Sequence, residues 1–344
     1  PPVPKDRPPF PRKLSRTGLF SSLKTHQPHP ALIPYSVNAP LWSDGAEKQR
    51  YIAMAVTRDK DGQPQVGKIK AGSATRGWTL PNGTVLVKSF ALKTREKGAV
   101  RKRWVETRLL HREQGEWVGY SYQWNSEQTE AMLVGRKGAD RNYTVVGPAG
   151  QASRQTWHYP GRAECMVCHS RAAEYLLGLT TVQMNHEHLY GKVRVNQLSL
   201  LASLGLLPLD GKAELKARRR KVLQDKGKSE VEIKKDLDGF DGNVPDGHVL
   251  QGTVVSRPHL VDPYSDGPSL ELRVRSYLHA NCAQCHVAAG GGNAQMDLDF
   301  AKPLAQAKVI DEQPVHERYG VKEARLVAPG DPSRSILLRR LSIR

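Results

Sequence analysis

The sequence predicts an α+β protein of more than one domain, in which an N-terminal antiparallel β-rich, sandwich-like domain precedes mainly α-helical units. Three observations support this prediction. The chain has 344 residues, which is more than one average domain needs. Between about residues 40 and 150, short runs alternate apolar and polar residues, as half-buried strands do. After residue 150, apolar residues recur at helical spacing.

The chain is expected to divide into five segments. These are a proline-rich extended leader, a β-rich domain, a first helical unit, a basic linker or insertion and a second helical unit, at residues 1–35, 36–150, 151–210, 211–250 and 251–344. Eight of the first thirty residues are proline, which favours an extended, solvated leader. The linker is expected because "ELKARRRKVLQDKGKSEVEIKKD" is the most densely basic stretch.

The clearest strand signal is a hairpin. The run "WVGYSYQW" alternates strictly and follows "WVETRLL" across the polar turn "REQGE". One face of the second strand is expected to carry Val118, Tyr120, Tyr122 and Trp124. Upstream, Asn82 and Gly83 form a favoured two-residue turn between alternating runs. The stretch "EAMLVGRKGADRNYTVV" repeats this pattern, so several short strands predict the sandwich-like domain.

Three later segments predict helices: "RAAEYLLGL", "VNQLSLLASLGLL" and "GPSLELRVRSYLHANCAQCH". Their apolar residues recur every three or four positions, so each presents one apolar face. The residues on these faces are Leu198, Leu201 and Leu204, then Leu270, Val274 and Tyr277. The second part of the chain is therefore expected to hold one or two small helical units.

The charge balance favours an acidic partner. Lysine and arginine number 52 against 34 acidic residues, a net charge of +18, which attracts nucleic acid, anionic membranes or acidic proteins. No zinc-finger spacing, aromatic RNA-binding box or basic heptad region is present, so we expect no nucleic-acid partner. No apolar run has the length of a membrane span. The sign of the charge by itself does not choose between an anionic membrane surface and an acidic protein surface.

The four cysteines form two Cys-x-x-Cys-His strings. Cys165 and Cys168 precede His169, while Cys282 and Cys285 precede His286. In such a string the two sulfurs can form thioethers to a haem, and the histidine places an imidazole nitrogen beside the iron. Histidine makes up 12 of 344 residues, so it would follow both pairs by chance about once in a thousand sequences. The strings predict two covalently attached haem c groups.

Two other interpretations stay open. A zinc ribbon places its two cysteine pairs about 15 to 20 residues apart, whereas here the pairs begin at Cys165 and Cys282. Structural disulfides account for the cysteines but not for the histidines. A third interpretation, a thioredoxin-like redox dithiol, is not favoured, because it explains neither the second Cys-x-x-Cys pair nor the histidines.

The sixth iron ligand decides between electron transfer and chemistry on a small molecule, because it sets the potential and the access to the iron. His169 and His286 are the predicted proximal ligands. Met184 and Met296 follow these motifs and His158 precedes the first, which makes them candidate distal ligands. Further histidines near the motifs are His186, His188 and His279. Each methionine also fits core packing, and a lone histidine is more often a surface or hydrogen-bonded residue.

The cysteine usage also indicates a compartment. Haem c is attached in an oxidising, extracytoplasmic compartment of bacteria, and no thiol lies outside the two motifs. We therefore expect a periplasmic or extracellular bacterial protein. The sequence begins at Pro1 without the order of a secretory signal, so the chain is expected to be processed or cut from a longer one.

Several strings resemble a known family from about residue 14 to 341. These are "LSRTGLF", "PYSVNAPLWSDGAEKQRYIAM", "GTVLVKSF", "VETRLL", "GYSYQWN", "RAECMVCH", "NQL", "YLHANCAQCH" and "PGDPSRSILLRRL". They resemble the bacterial dihaem c-type cytochromes found alone or following glucose/sorbosone-dehydrogenase-like domains. In that family the last string commonly leads to a methionine-proline loop that supplies a distal sulfur, and this sequence ends at Arg344 before such a loop.

The resemblance implies electron transfer, coupled in some cases to oxidation of a sugar or alcohol. We expect a dihaem carrier between a dehydrogenase, or another redox protein, and a downstream acceptor. The alternative is a dihaem peroxidase or oxygenase-like enzyme in which one haem keeps an open site. Catalytic triads, paired carboxylates and phosphate-binding loops are absent from the sequence, so an electron-transfer protein or subunit is favoured over a stand-alone enzyme.

Overall fold

One eight-stranded antiparallel sheet forms the centre of the protein. The computed structural model describes residues 10–96, 98–207, 220–221, 223–241, 258–288, 290–292 and 294–343. Its strands are β1 (Phe20–Ser22), β2 (Gln27–Pro28), β3 (Ile33–Pro34), β4 (Glu47–Ala53), β5 (Val56–Arg58), β6 (Pro64–Val66), β7 (Val85–Glu96), β8 (Ala99–Glu113), β9 (Glu116–Trp124), β10 (Ala131–Leu133), β11 (Ala139–Val146), β12 (Ala152–Tyr159), β13 (Glu187–Tyr190) and β14 (Val193–Asn196).

The large sheet has the strand order β10–β9–β8–β7–β11–β12. The long strand β7 pairs with β8 along one edge, and with β4 and then β11 along the other. Strand β3 extends the sheet beyond β4. The ladders β1–β2, β5–β6 and β13–β14 are small two-stranded units.

The helices of the described ranges are short. They are α1 (Arg162–Cys168), α2 (Thr181–Met184), α3 (Gln197–Ser203), α4 (Glu230–Asp241), α5 (Leu270–Cys282) and α6 (Ile336–Ser342), with 3-10 turns at Leu14–Thr17, Leu304–Gln306 and Pro332–Arg334. Among these helices, none combines the length and the apolar composition that a membrane crossing needs.

The predicted α+β architecture is wrong in two respects. The described strands pair into one large sheet, not a sandwich of two, and the residues after 150 do not form a mainly α-helical domain. Strand β12 continues the sheet past residue 150, and the predicted helix at "RAAEYLLGL" is a series of turns. Its apolar residues, Leu176 and Leu179, are buried against the sheet. A short apolar run has the same spacing whether it forms a helix or a series of turns packed on a sheet, so periodicity does not distinguish the two structures.

The predicted hairpin is confirmed between β8 and β9. Glu113 pairs with Glu116, and the two turn residues, Gln114 and Gly115, have φ angles of 52° and 84°, as a type I′ turn requires. The turn at Asn82–Gly83 does not close a hairpin, because β7 after it pairs only with β4, β8 and β11 among the described strands. Strands β10 and β11 likewise pair with other strands and not with each other.

The two faces of the sheet are covered by different parts of the chain. The predicted face of β9 packs against the N-terminal segment, whose Leu14 is fully buried. There the Phe10 ring stacks on Tyr120 with centroids 3.5 Å apart, and the Tyr122 hydroxyl donates to the Pro11 carbonyl at 2.6 Å. The expected extended leader at 1–35 therefore differs from the structure from residue 10 onward, and residues 1–9 lie outside the described ranges.

The other face of the sheet carries the segment that holds the first cysteine motif. Ile52, Leu86 and Leu110 pack there against Trp78 and Leu179. Trp78 is 1% exposed, and burying an aromatic side chain of this size stabilises a core by several kcal/mol, about 3–5 on truncation to alanine. This face is therefore a continuous core between the sheet and residues 160–207.

The C-terminal part docks on the same core. The Trp42 amide donates to Asn281 Oδ1 at 2.7 Å, and the Leu260 amide donates to the Val182 carbonyl at 2.9 Å. Asp299 accepts from the Thr75 hydroxyl at 3.1 Å. About half of the expected basic linker at 211–250 lies within the described ranges, and this part contains α4.

A buried histidine in the N-terminal segment predicts a pH-dependent stability. His26 stacks on Trp104 with centroids 3.6 Å apart, and burial lowers the pKa of His26 from 6.5 to about 4. Between these values the unfolded chain binds a proton that the folded protein does not, so the free energy of unfolding falls as pH falls. The loss from this group reaches about 3 kcal/mol below pH 4.

Replacing His26→Phe keeps the stacked ring and is expected to remove this contribution. Urea unfolding at pH 7 and pH 4.5 measures it. The variant His29→Gln replaces a nearby exposed histidine and is expected to retain the wild-type pH dependence. Equal pH dependence in wild type and His26→Phe would contradict the assignment.

Candidate functional site

The first cysteine motif lies on one short helix. Helix α1 begins after Gly161, whose amide donates to Glu164 Oε2 at 2.6 Å. It ends at His169, whose amide donates to the Cys165 carbonyl at 3.1 Å. Residues three apart on a helix lie on the same side, so Cys165 and Cys168 present their sulfurs together.

A glycine of the sheet allows this helix to approach. A Cβ added to Gly119 on β9 would lie 2.6 Å from Cys165 Cβ and 2.7 Å from its Sγ. Those distances are far inside van der Waals contact, so the close packing of α1 on β9 requires glycine here. Gly119 interrupts the alternating run "WVGYSYQW", and a glycine inside a strand is the sequence signal for a close approach.

His169 is held in one orientation. Its Nδ1 hydrogen-bonds the Tyr175 carbonyl at 2.5 Å, so Nδ1 carries the proton and Nε2 keeps its lone pair. Burial lowers the pKa of His169, which favours the neutral imidazole that a metal ligand must be. The hydrogen bond to a carbonyl is the outer-shell contact that iron-binding and zinc-binding histidines commonly make.

The motif borders a cavity of about 200 Å³. Cys165, Cys168 and His169 line it together with Gly119. Apolar walls come from the sheet and from the turn at 176–179, and Ala280 of α5 closes one side. The cavity therefore places two thiols and one imidazole at the edge of an apolar space.

Three cations line the same cavity: Arg50, Lys88 and Arg108. They are direct cross-strand neighbours, because Lys88 pairs with Arg50 on β4 and with Arg108 on β8. Glu106 is fully buried and receives two hydrogen bonds from Arg108, at 2.7 and 2.9 Å. None of the ion pairs found among the described residues includes Arg50 or Lys88.

The second cysteine motif lies at the end of α5. Cys282 is the last residue of this helix, and the His286 amide donates to its carbonyl at 2.9 Å. His286 borders a second cavity of about 380 Å³. Burial lowers the pKa of His286, and its Nδ1 is buried without a hydrogen-bond partner in the described part of the chain.

The second cavity also contains candidate ligands. Met296 lines it and is 7% exposed, while the Leu298 amide donates to the His286 carbonyl at 2.8 Å. This contact ties the Met296 loop to the motif. His316 lines the cavity as well, and the sequence reasoning did not consider it, because it lies far from both motifs in the chain.

The two motifs are brought close together although they lie far apart in the sequence. A small cavity of about 30 Å³ is lined by Leu176 and Leu177 from the first site and by Ala280 and Gln284 from the second. Burial, and then the charge of Cys285, raise the pKa of Cys168. The two sites are therefore neighbours.

The structure does not bring Met184 or His158 to the first cavity. Met184 is 1% exposed in the core, with its Sδ 3.9 Å from Gln197 Nε2. His158 lies at the surface with Nδ1 bonded to Asp140 at 2.6 Å and Nε2 to Glu164 at 3.1 Å. Both nitrogens are thus occupied. Of the candidate distal ligands, only Met296 shares a cavity with a motif histidine.

The other histidines near the motifs have partners of their own. His186 and His188 hydrogen-bond the Ser36 hydroxyl at 2.8 and 2.9 Å. His279 Nδ1 accepts from the Phe300 amide at 3.2 Å. These contacts account for their positions in the fold.

The four cysteines do not converge on one site. All four are free thiols, and the described ranges contain no group of three or more His, Cys, Asp or Glu side chains placed to hold a metal ion. The arrangement is instead two separate sets, each with two thiols and one imidazole. Comparison with known proteins finds no matching family model, no matching curated protein and no matching solved structure.

Proposed function

We propose that this protein is a dihaem c-type cytochrome that transfers electrons between a dehydrogenase, or another redox protein, and a downstream acceptor. One observation supports the proposal: the histidine of each Cys-x-x-Cys-His string lines a cavity. A zinc site would need the thiols to converge, and they do not. Disulfides would leave the cavities and the histidines without a role.

The residues of the first site fit a haem. Cys165 and Cys168 would form the thioethers, and His169 Nε2 would bind the iron. The hydrogen bond from Nδ1 to the Tyr175 carbonyl orients this ring and raises its basicity. A bound haem supplies a one-electron iron couple. The apolar cavity walls keep water away and help to set the potential.

The second site would use the corresponding residues. Cys282 and Cys285 would anchor the second haem, and His286 would bind its iron. The loop through Met296 and the motif histidine are held together by the backbone contact of Leu298. The shared boundary between the two sites supports passage of electrons from one to the other.

Met296 is the distal ligand that we propose for the second haem. Replacing Met296→Leu keeps the volume and removes the sulfur, so this haem is expected to change from low-spin to high-spin and to bind carbon monoxide. Optical spectra of the reduced variant with and without the gas measure the change. Met184→Leu is the control, since Met184 lies in the core away from both cavities, and its spectrum should match the wild type. Unaltered spectra for Met296→Leu would assign the ligand elsewhere, with His316 next to be tested.

The partner and the compartment follow from charge and chemistry. The net charge of +18 would steer an acidic redox partner and speed encounter. The resemblance to dihaem cytochromes adds a sugar or alcohol dehydrogenase as the donor class. Attachment of haem c places the protein in the bacterial periplasm or outside the cell, where thioether formation takes place.

An enzyme is the second candidate function, and the first cavity favours it. Of the described residues lining that cavity, none is a methionine and His169 is the only histidine. The first haem would then keep an open distal side, as in a dihaem peroxidase or oxygenase-like enzyme. Electrons would reach it from the second haem.

A single preparation tests both candidates. Intact mass of the native protein should equal the polypeptide plus two haem groups, and acid-acetone should leave the colour on the protein. Reduced spectra that carbon monoxide does not alter support the carrier, whereas a gas-binding haem supports the enzyme. A bare polypeptide mass would overturn the proposal.

A further inference from the structure

We infer that Arg50, Lys88 and Arg108 form the binding site for the two carboxylate groups of the porphyrin at the first motif, an inference that rests on the proposed function. These three side chains form what we call the cation row. A haem is apolar over its ring and carries two propionate carboxylates at one edge. The first cavity provides for both parts of such a molecule.

The cation row follows from the strand register. Arg50, Lys88 and Arg108 are directly opposite one another on three adjacent strands, β4, β7 and β8. They therefore point to the same face of the sheet. All three border the cavity that Cys165, Cys168 and His169 also border.

An apolar row lies beside the cation row on the same face of the sheet. It consists of Ile52, Leu86 and Leu110, each two positions along its strand from a member of the cation row, and these three also pair with one another. Gly119, opposite Leu110 on β9, ends this row and lies beneath Cys165. The cavity therefore presents apolar and cationic surface side by side, as a ligand with an apolar ring and carboxylates at one edge requires.

Among the described residues, one carboxylate pairs with the cation row: Glu106 binds Arg108, while Lys88 and Arg108 also lie over the Phe90 ring, with 5.0 and 4.6 Å to its centroid. Like charges directly opposite on neighbouring strands are destabilising, and buried charges are normally paired. Glu106 is already engaged by Arg108, by Ser121 and by the Trp157 indole at 2.9 Å.

The other charged groups near the cavity do not supply the missing counterions. Glu164 is engaged by the Gly161 amide and by His158, and Lys48 adds a further positive charge beside the row. Burial lowers the pKa of Arg50, and burial with the charge of Arg50 lowers the pKa of Lys88 well below its ordinary range. Two carboxylates from a ligand would supply the charge that the cavity lacks.

Carboxylate binding accounts for the presence of all three cations in the cavity, whereas iron ligation by Lys88 would account for Lys88 alone. The guanidinium groups of Arg50 and Arg108 stay protonated and have no acceptor atom, so neither can bind iron. Arg50 presents a planar set of donors that matches a carboxylate, whereas Arg108 already donates from Nε and Nη2 to Glu106 and has Nη1 left for a ligand. Ligation by Lys88 is therefore an outcome for the test to separate.

The test compares Lys88→Gln, Lys88→Arg and the control Lys93→Gln in the full chain. Lys93 lies on the same strand but is exposed. We measure the midpoint potentials of both haems by spectroelectrochemical titration. A nearby positive charge disfavours the ferric state, so Lys88→Gln is expected to lower one of the two potentials by at least a tenfold change in the reduction equilibrium, about 59 mV for one electron. Lys93→Gln should shift neither.

Lys88→Arg separates the two roles of the side chain. It retains the charge, so wild-type potentials and an unaltered spectrum support carboxylate binding, including in the case where Lys88→Gln fails to load haem. A spin-state change in Lys88→Arg would instead identify an iron ligand and overturn the inference. Wild-type potentials in Lys88→Gln would overturn it too. A wild-type protein without covalent haem would overturn the proposed function itself, and only that result would do so.

Discussion

Replacing Cys165 and Cys168 together with alanine is expected to remove one of two covalently bound haem groups and to leave the other in place. In the proposed function the thioethers form on the cysteine sulfurs, and the histidines of the two motifs border separate cavities. Each motif should therefore load independently of the other. Intact mass and the haem content per chain measure the loss.

The matched variant is Cys282→Ala with Cys285→Ala, which should lose the second haem and keep the first. Loss of both haems in either variant would mean that the sites do not load independently. Full haem content in either variant would mean that its cysteines are not the anchors. A mass equal to the polypeptide plus zinc in the wild type would replace the whole account with a metal-bound protein.

Replacing Gly119→Ala is expected to damage only the first site. The added methyl would lie 2.6 Å from Cys165 Cβ and 2.7 Å from its Sγ, so α1 must move away from β9. Overpacking of this kind costs about 1–3 kcal/mol of stability. The displaced sulfur would no longer meet the ligand that the cavity orients, so most chains should lack the first haem.

The control for Gly119 is Gly135→Ala. An added Cβ at Gly135 meets no atom within 4 Å, and this glycine has no positive φ angle, so haem content and stability should match the wild type. Mass spectra give the fraction of chains with one and two haems, and urea unfolding gives the stability. Full loading in Gly119→Ala would show that the close approach of α1 to β9 is dispensable for attachment.

Together these variants separate two requirements for a haem site. The cysteine variants test the bonds, which depend on residues a few positions apart. The Gly119 variant tests the surface on which those residues rest, which depends on a strand more than forty residues upstream. A chain that keeps Cys165 and Cys168 but loses the close contact of α1 with β9 is therefore expected to fail to attach the first haem, as the cysteine variant does.

Local sequence patterns predicted local structure well. The alternation of "WVGYSYQW" placed Tyr120, Tyr122 and Trp124 on one face, and the structure buries them together. The β8–β9 hairpin was confirmed because its turn needs only two residues with positive φ. Of the three predicted helices, two are present as α3 and α5, whereas the one predicted at 171–179 is wrong. Its Leu176 and Leu179 are buried in the core between the sheet and α3 without forming a helix.

The same distinction applies to the candidate ligands. Met184 and Met296 follow their motifs at similar distances in the sequence, and nothing local separates them. In the fold, Met184 is enclosed by the core beside Gln197, whereas Met296 lines the cavity of His286. Contacts between segments far apart in the sequence therefore decide which of the two methionines lies beside a motif histidine.

By itself, the sequence determined where the two Cys-x-x-Cys-His motifs lie and which histidines we propose as iron ligands, because the spacing that thioether attachment requires is satisfied within one helical turn. Only the tertiary structure decided which residues surround them. The cation row, the glycine beneath Cys165 and the closeness of the two motifs all depend on strand register and on contacts between distant segments. Such contacts depend on burial across the whole fold, and the local spacing of apolar residues does not predict them.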